Sequence, residues 1–411
     1  MTQATQTTAS VQEIPDGSVT TPAGFQAGAT HAGVKYQDTA RHDVGLLYSE
    51  RPCVAAGMFT KSSVVGAPVI VSKEHLADGS ARAIVANSGI ANVATGAEGL
   101  QAARAMAEQA GGKLGIAASE VLVASTGVIG WQLPMDRIAR GIDAITLASD
   151  GGMDLARAIM TTDTRPKHAA AAFVFGGRRY HVGGIAKGSG MIHPDMGTMF
   201  GFLTSDVPVA PELIRPLLRS VVDETFNMVS VDGDTSTSDT VVLLANGAGG
   251  GAPFTPGSAG AEALRAALFA TSRSLARQIA ADGEGASKLI EVRISGAASV
   301  EEARRAARTV SVSPLMKSAV YGNDFNWGRV MMAVGRSYVA IDLDRAEVRI
   351  GDVIAYACGA PRAVDEQTAL DALKGPEVVI AVQLGVGEAA ATAWGCDLTE
   401  EYVRINAEYT T

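Results

Sequence analysis

The sequence predicts an α+β or a layered α/β fold, with helices covering stacked sheets. Strand-like and helical patterns occur in both halves of the chain, without the strict strand–helix–strand alternation of a parallel sheet. The 411 residues exceed what one small core usually organises, which indicates more than one domain. Apolar residues make up 47% of the chain and charged residues 19%, so large cores can form.

The first half contains short apolar or β-branched runs that predict strands. These runs are residues 53–60, 67–72, 81–86, 121–125 and 171–175. Between them, apolar residues recur at helical spacing around Met106 and around Ile138, which predicts amphipathic helices. Before the first run, the polar, Thr-rich residues 1–20 predict a flexible N-terminal arm.

The second half repeats this mixture of patterns. Its predicted strands are residues 240–246, 289–295, 338–343 and 378–384, and its predicted helices are residues 212–226, 261–281 and 300–307. Residues 402–405 also read as a strand, and no polar tail follows them. This pattern predicts a C-terminus that is held in place, with Asn406 and Thr411 near a site.

Composition excludes several classes of protein. The net charge is −9 and the sequence has no basic stripe, which argues against a nucleic-acid partner. No run of 18 apolar residues and no signal-peptide pattern occurs, so we expect a cytoplasmic protein without a membrane partner. Cys53, Cys358 and Cys396 are far apart in apolar or Gly-rich stretches, which predicts buried free thiols in a reducing compartment.

No common cofactor or metal motif is present. The six histidines are scattered, without the paired spacing of a zinc site, and no CxxC pair occurs. Neither a Walker pattern nor a GxGxxG turn after a strand is found. We therefore expect a reaction without metal or cofactor.

The segment GGIAKGSGMIHPDMGTMFGFLTSD, residues 183–206, is the most unusual part of the chain. It has the glycines of a linker, but its methionines, phenylalanines and leucine are typical of a core, which favours an active-site loop. A threonine can act as a nucleophile when its own α-amine serves as base, and this requires cleavage of the preceding peptide bond. Gly197 lacks a Cβ and so tolerates strain at such a bond, which makes Thr198 a candidate. A Gly-Thr pair alone is common and does not decide the assignment.

Four other residues are candidates, each with a structural alternative. Thr126 and Gly127 follow an apolar run, where a hydroxyl and a backbone N–H can form an oxyanion hole or simply end a strand. Lys187 can meet a small anion or lower the pKa of a nearby amine, or it can be a surface lysine. Glu284, between two glycines, can bind a ligand ammonium or belong to a polar turn. The acidic segment 232–240 lacks calcium-loop spacing and reads as a hydrogen-bonded turn network.

Seven collinear segments together resemble the ornithine acetyltransferases of arginine biosynthesis, also called glutamate N-acetyltransferases or the ArgJ family. They are STGVIG (125–130), AIMTTDT (158–164), GGIAKGSGMIHPDMGTM (183–199), DGDTSTSDT (232–240), DGEGASK (282–288), NDFNWGRV (323–330) and GCDLTEEYVRINAEYTT (395–411). They span nearly all of the chain after the arm. The resemblance implies a DmpA/ArgJ-like α/β fold, a layered sandwich of helices and mixed sheets in a two-domain protomer. It also implies a self-cleaving enzyme whose fragments, 21–197 and 198–411, assemble as two copies of each.

The resemblance also implies a role for each matching residue. Thr198 is similar to the nucleophile, and Thr126 and Gly127 to the oxyanion pair. The positions that resemble substrate contacts are Thr161, Lys187, Glu284, Asn406 and Thr411. Gly197 stands where the family usually has alanine; since glycine lowers the steric cost at the scissile bond, we expect cleavage to survive.

The resemblance implies acetyl transfer from N-acetylornithine to glutamate by a ping-pong mechanism through acetyl-threonine. Two variants stay open, an enzyme limited to this exchange and a bifunctional enzyme that also takes acetyl from acetyl-CoA. The pathway, primary arginine synthesis or a related secondary pathway, is open as well. One alternative is an N-terminal-nucleophile amidohydrolase or aminopeptidase with water as acceptor. Another is an uncleaved protein that binds acetylated amino acids without turnover.

Overall fold

The computed structural model describes residues 10–193 and 199–408, and in these residues the chain forms two mixed β-sheets. The strands of the larger sheet are β1 (Gln12–Glu13), β2 (Phe25–Thr30), β3 (Val44–Phe59), β4 (Ser80–Asn87), β5 (Val121–Ser125), β6 (Lys167–Phe175), β7 (Arg178–Lys187), β8 (Phe200–Ser205) and β9 (Thr240–Ala245). Those of the smaller sheet are β10 (Leu289–Ala297), β11 (Glu347–Ile350), β12 (Val353–Ala357), β13 (Ala360–Pro361), β14 (Glu377–Gln383) and β15 (Ala389–Cys396).

Helices cover both sheets. They are α1 (Ala67–His75), α2 (Gly96–Leu114), α3 (Met135–Ala144), α4 (Gly152–Ala158), α5 (Pro211–Glu224), α6 (Ala259–Ala281), α7 (Val300–Ser311), α8 (Pro314–Tyr321), α9 (Trp327–Gly335), α10 (Glu366–Asp371) and α11 (Glu400–Glu408). Within residues 10–193 and 199–408, no helix combines the length and the apolar character needed to cross a membrane.

Strand β3 joins two layers of the larger sheet. The strand order is β1-β6-β7-β8-β9-β3-β4-β5, and β2 also pairs with β3. The first part of β3 pairs with β2 and β4, whereas residues 54–59 pair with β9, and its register with β4 shifts between Tyr48 and Cys53. Because β3 changes partners along its length, the sheet folds over itself and its two parts face each other.

Alternating side chains fill the cores on either side of these layers. In β9, Val242 points into an inner core shared with Phe202 of β8 and Ile84 of β4. The neighbouring Val241 belongs to an outer core under α5 and α6, and Val85 belongs to another outer core under α1, α2 and α3. The layers therefore run helix, sheet, sheet, helix, which confirms the predicted layered α/β fold.

The smaller sheet extends the outer core beneath α6. Its strand order is β13-β12-β11-β14-β10-β15, with β10 parallel to β14 and antiparallel to β15. Helix α7 packs on β10 and β15, and α6 contacts strands of both sheets. Apolar residues of α6, α7 and the smaller sheet belong to one continuous cluster, so the two sheets are packed against a shared helix.

Two predicted strands are wrong in the same way, because both are helical. Residues 67–72 lie in α1, where Pro68 supports the first turn and Val71 is buried while Ile70 is 40% exposed. Residues 402–405 lie in α11, which begins with two glutamates and leaves Val403 64% exposed. In both segments β-branched residues favour a strand locally. In α1 the packing of one helical face overrides this preference, whereas α11 has no buried residue among those described.

Residues 338–343 do not form the predicted strand either. Tyr338 has a left-handed backbone with φ of 54° and an 86% exposed side chain. The N–H of Asp342 donates to the Leu384 carbonyl, and the next residues turn toward β11. A left-handed, solvent-exposed residue cannot continue a paired strand, so this segment is a loop.

The N-terminal residues that the structure describes are packed, in contrast to the flexible arm predicted for residues 1–20. Strand β1 pairs with β6, and Ser18, Val19 and Thr20 are buried. A Cβ on Gly17 would lie 2.4 Å from Ala170, so the backbone runs directly over β6. Polar composition predicted a free arm because it does not report contacts of the main chain with a sheet edge.

The cysteines match their prediction only in part. Cys53 and Cys396 are buried and unpaired, as expected, whereas Cys358 is exposed. Cys358 lies between β12 and β13 with φ of 51°, and its position in this turn carries the thiol outside the core. Burial raises the pKa of Cys53 to about 12 and that of Cys396 to about 11, which keeps these two thiols protonated.

Candidate active site

One cavity brings together predicted site residues that are far apart in the sequence. It is open to solvent and, counted with the solvent at its mouth, has a volume of about 720 Å³. The predicted site residues among its lining are Thr126, Gly127, Thr161, Lys187, Glu284 and Asn406. The predicted nucleophile Thr198, its neighbour Gly197 and the terminal Thr411 lie outside the described residues. Met199, which follows Thr198 in the chain, lines the cavity.

Thr126 and Gly127 are placed by the ends of two parallel strands. Asn87 ends β4 opposite the last residue of β5, and its carbonyl accepts the Thr126 N–H at 3.0 Å. Gly127 has φ of 126°, and a Cβ there would lie 2.3 Å from the backbone of Gly89. The Gly127 N–H has no hydrogen-bond partner in the described part of the chain. A hydroxyl and a free N–H therefore stand side by side, as an oxyanion hole requires.

Lys187 is a buried cation of the cavity wall. It ends β7 opposite Phe200 of β8, is 7% exposed, and donates to Thr126 Oγ1 at 3.3 Å. Burial lowers the pKa of Lys187, and the opposite charge of Asp163 works against this effect. Because the Thr126 oxygen accepts from the ammonium, the Thr126 hydroxyl keeps its own proton for another acceptor.

A buried ionic network fixes the wall around Thr161. Lys167 Nζ lies 2.6 Å from Asp163 Oδ1 and 2.5 Å from Asp282 Oδ2. Asp163 also accepts the N–H groups of Thr161 and Gly188, at 3.0 Å and 2.7 Å. Burial alone would raise the pKa of Asp163, but the charges of the two neighbouring lysines and these hydrogen bonds bring it to about 2. The network therefore ties the Thr161 loop to the backbone that follows Lys187.

Glu284 and Asn406 form another part of the cavity wall. Asn406 Nδ2, on α11, donates to Glu284 Oε2 at 2.8 Å, and the Glu284 N–H donates to the Ser189 carbonyl at 2.8 Å. A Cβ on Gly190 would lie 2.4 Å from the Glu284 carboxylate, so this glycine makes room for the acid. Glu284 is 7% exposed, and burial of a carboxylate beside a cavity favours a cationic ligand there.

The acidic segment 232–240 is a hydrogen-bonded turn network, as predicted, for its first part. The Asp232 carboxylate accepts the N–H groups of Met191, Ile192 and Asp234, at 2.6, 2.9 and 3.2 Å. These bonds hold the backbone of residues 191–192, just before the predicted cleavage segment. In the described residues, no group of three or more His, Cys, Asp or Glu side chains is arranged to hold a metal ion.

Asp239 is a cavity residue that the sequence did not separate from this turn network. It lies directly before β9, lines the cavity and is 1% exposed. Within the described residues, neither of its carboxylate oxygens makes a well-formed hydrogen bond, although the Met199 N–H and the Thr60 hydroxyl lie close enough to stabilise the ionised form. Burial raises the pKa of Asp239 well above its usual value, and the charge of Lys187 offsets only part of this. Asp239 lies next to an apolar strand, as Thr126 does after β5, and this pattern could have predicted that Asp239 is a site residue.

Comparison with known proteins identifies close relatives over nearly the whole chain. A sequence profile of the ArgJ family matches residues 26–411. The arginine biosynthesis bifunctional protein ArgJ of Symbiobacterium thermophilum is 50% identical over 397 residues, which cover 96% of this chain and 99% of the relative. The ArgJ protein of Dehalococcoides mccartyi is 44% identical over 402 residues, which cover 98% and 99% of the two chains.

Two solved structures are also similar to parts of the chain. The arginine biosynthesis bifunctional protein ArgJ of Bacillus halodurans is 41% identical, with a TM-score of 0.44, and covers 47% of this chain and 99% of its own. An ornithine acetyltransferase of Mycobacterium tuberculosis, solved in complex with ornithine, is 36% identical with a TM-score of 0.42, and covers 46% of this chain and 100% of its own.

Proposed function

The chain belongs to the ArgJ family, and we propose that it moves acetyl from N-acetylornithine to glutamate through an acetyl-threonine intermediate, in arginine biosynthesis. The observation that carries this proposal is one cavity that gathers Thr126, Gly127, Lys187 and Glu284 from three distant segments. It combines a hydroxyl, a backbone N–H, a cation and a carboxylate around one open cavity, which are the groups that acyl transfer to and from an amino acid requires.

The first step is cleavage of the Gly197–Thr198 bond. The Thr198 hydroxyl attacks the Gly197 carbonyl in an N→O acyl shift, and water then hydrolyses the ester. This step gives two fragments. One contains residues 21–197 together with the N-terminal residues before them, and the other contains residues 198–411. It also gives Thr198 a free α-amine, which can accept the proton of its own hydroxyl. Support comes from Met199, whose place in the cavity wall brings the chain next to Thr198 to the proposed oxyanion hole.

In the first half-reaction, Thr198 Oγ attacks the acetyl carbonyl of N-acetylornithine. The Thr126 hydroxyl and the Gly127 N–H then bind the negative charge that develops on the acetyl oxygen, and loss of one such donor typically raises the barrier by about 2.7–4 kcal/mol. Lys187 donates to the Thr126 oxygen and so makes that hydroxyl a stronger donor. Ornithine leaves, and an acetyl-enzyme remains.

In the second half-reaction, glutamate takes the place of ornithine and its α-nitrogen attacks the acetyl-enzyme. Both compounds carry an α-carboxylate, so the same groups hold the reacting end of each. Their side chains end in opposite charges, and Glu284 is suited to the ammonium of ornithine. Asn406 and Thr411 supply neutral polar contacts, which tolerate either ligand.

We also propose a second activity, acetylation of glutamate by acetyl-CoA. The relatives described above are named bifunctional proteins, and an acetyl-threonine can form from any acetyl donor that reaches the nucleophile. The two fragments stay together in this proposal, and two copies of each form the assembly.

Mass spectrometry followed by paired assays tests the function. We expect the wild-type chain to give two fragments divided after Gly197, and Thr198→Ala to remain one chain. The cleaved enzyme should consume N-acetylornithine faster when glutamate is present, and should acetylate glutamate with acetyl-CoA. Loss of acetyl to water at the same rate with and without glutamate would instead identify an amidohydrolase. Cleavage of Thr198→Ala like that of the wild type would exclude Thr198 as the nucleophile.

A further inference from the structure

Asp239 is a buried acid of the cavity that the mechanism above does not use. It lies directly before β9, is 1% exposed, and has two carboxylate oxygens that make no well-formed hydrogen bond in residues 10–193 and 199–408. A buried polar side chain without a partner is destabilising, so an acid kept in this state inside a cavity suggests a role in the reaction.

The groups around Asp239 lie at or next to the ends of three strands. Lys187, at the end of β7, is the charged group that faces it. The N–H of Met199, before β8, and the hydroxyl of Thr60, after β3, are uncharged groups that also favour the ionised Asp239 carboxylate. The Thr60 hydroxyl donates to the Ser236 carbonyl at 2.7 Å. Lys187 in turn interacts with a wider set of charges, which are those of Asp163, Lys167 and Glu284.

These surroundings act on Asp239 in opposite directions. Burial favours the protonated, neutral carboxyl, and it raises the pKa well above the usual value. The ammonium of Lys187 favours the ionised carboxylate. A side chain under two opposing influences can change its protonation when the charge of the ligand in the cavity changes.

The proposed exchange moves a proton as well as an acetyl group. Ornithine is released as an α-amine, which takes a proton to become an ammonium ion. Glutamate arrives as an α-ammonium ion and must lose a proton before its nitrogen can attack. Because the two half-reactions are separate, a group in the cavity that gives one proton in the first and receives one in the second would spare each step an exchange with solvent.

We propose that Asp239 is this proton-storing residue, an inference that rests on the proposed function. In the first half-reaction the Asp239 O–H bond breaks and an N–H bond forms on the α-nitrogen of ornithine, which leaves a carboxylate opposite Lys187. In the second, an N–H bond of the glutamate ammonium breaks and the Asp239 O–H bond forms again. The proton of the Thr198 hydroxyl moves separately, to ornithine on acetylation and back from glutamate on discharge, so that protons and charge balance.

The test compares two acceptors on preformed acetyl-enzyme, glutamate and hydroxylamine. Hydroxylamine is neutral at neutral pH and has no proton to lose before attack. In Asp239→Asn we expect discharge by glutamate to fall by about 10²–10⁴-fold, the usual contribution of general acid–base groups, and discharge by hydroxylamine to be unchanged. The glutamate reaction should recover as the pH is raised, and Asp239→Glu should restore it at neutral pH.

Equal losses with both acceptors would show a structural role and overturn the proposal, as would wild-type rates with glutamate. If Asp239→Asn fails to fold or cleave, infrared spectra of the wild-type enzyme with isotopically labelled aspartate decide the matter. A protonated carboxyl band should disappear when acetyl-enzyme forms and return on discharge; a constant band overturns the proposal. A wild-type chain that forms no acetyl-enzyme would overturn the proposed function itself, and this inference with it.

Discussion

A methyl group added at Gly127 should impair catalysis while the protein still folds. In Gly127→Ala the new Cβ would lie 2.3 Å from the Gly89 backbone, so the chain must shift and carry the Gly127 N–H with it. We expect kcat for acetyl transfer to fall by about 10²–10³-fold, the cost of losing an oxyanion donor. Steady-state kinetics with N-acetylornithine and glutamate measure this.

Gly130→Ala is the matched control for that substitution. Gly130 also has a left-handed backbone, with φ of 85°, but no atom lies within 4 Å of a Cβ placed there. The two variants share the strain of alanine at positive φ and differ in the clash. Equal losses of kcat in both would attribute the effect to backbone strain and not to the oxyanion donor.

Glu284 should distinguish the two substrates. Glu284→Gln removes the charge that we assign to the ammonium of ornithine and keeps the hydrogen bond with Asn406 possible. The expected result is a KM for N-acetylornithine that rises more than the KM for glutamate, since a lost ionic partner typically costs about 2–5 kcal/mol. Separate measurement of acetyl-enzyme formation and discharge gives both values. Equal increases would place Glu284 at the end shared by both substrates.

At the scale of the structural elements, the ion network of Lys167 joins the start of β6 to the end of α6. Lys167→Met would leave Asp163 and Asp282 without their cation in a site where the lysine is fully buried. We expect the free energy of unfolding to fall by about 3–5 kcal/mol. In the control Lys374→Met, which removes an exposed pair with Asp371, the loss should stay below about 1 kcal/mol. Urea unfolding of both variants provides the comparison; similar losses would contradict a special role for the buried network.

The same network predicts how stability depends on pH. The pKa of Asp163 falls from an ordinary 3.8 to about 2 in the folded protein. Its ionised form therefore stabilises the fold above pH 3.8, and this contribution is lost as the pH falls through about 2. The difference in unfolding free energy between the wild type and Asp163→Asn should shrink across that interval. A constant difference from neutral pH to acid would mean that Asp163 does not titrate with folding.

Elements with one dominant local pattern could be predicted from the sequence, and those decided by packing could not. The strands at 121–125 and 240–245 and the long helix α6 have continuous apolar or periodic patterns that match their structure. The β-branched run in α1 was misread because its environment, and not its composition, selects a helix. The Gly-rich segment was expected to lead into a buried strand, and its apolar residues form β8.

The site also contains residues that the local sequence predicts and residues that only the fold reveals. Thr126, Lys187 and Glu284 stand in short, distinctive segments, so their chemistry could be read locally. The partnership of Lys167 with Asp282 joins residues 115 positions apart, and no spacing rule predicts such a pair. The isolation of Asp239 from the neighbouring turn network likewise depends on burial, which the run of hydroxyl and acidic residues does not show.

For the whole molecule, the larger sheet predicts that the two fragments remain one body after cleavage. Strands β8 and β9, which follow Thr198, lie between β7 and β3, which precede it. We expect the fragments to elute together in gel filtration under native conditions and to separate in a denaturing gel. An untreated sample in which the fragments elute apart would contradict this.

The position of β8 and β9 between β7 and β3 also determines whether the two cleavage fragments can be exchanged between molecules. To exchange one piece for a copy from another molecule, the ladders with β7 and with β3 would both have to open, along with the core that they enclose. Each mature molecule should therefore keep the two halves of a single translation product. A cell with two alleles of this gene would then contain two kinds of protomer, one from each allele, and no protomer that combines fragments of both. A harmful change in one fragment could not be compensated within a protomer by the unchanged fragment of the other allele.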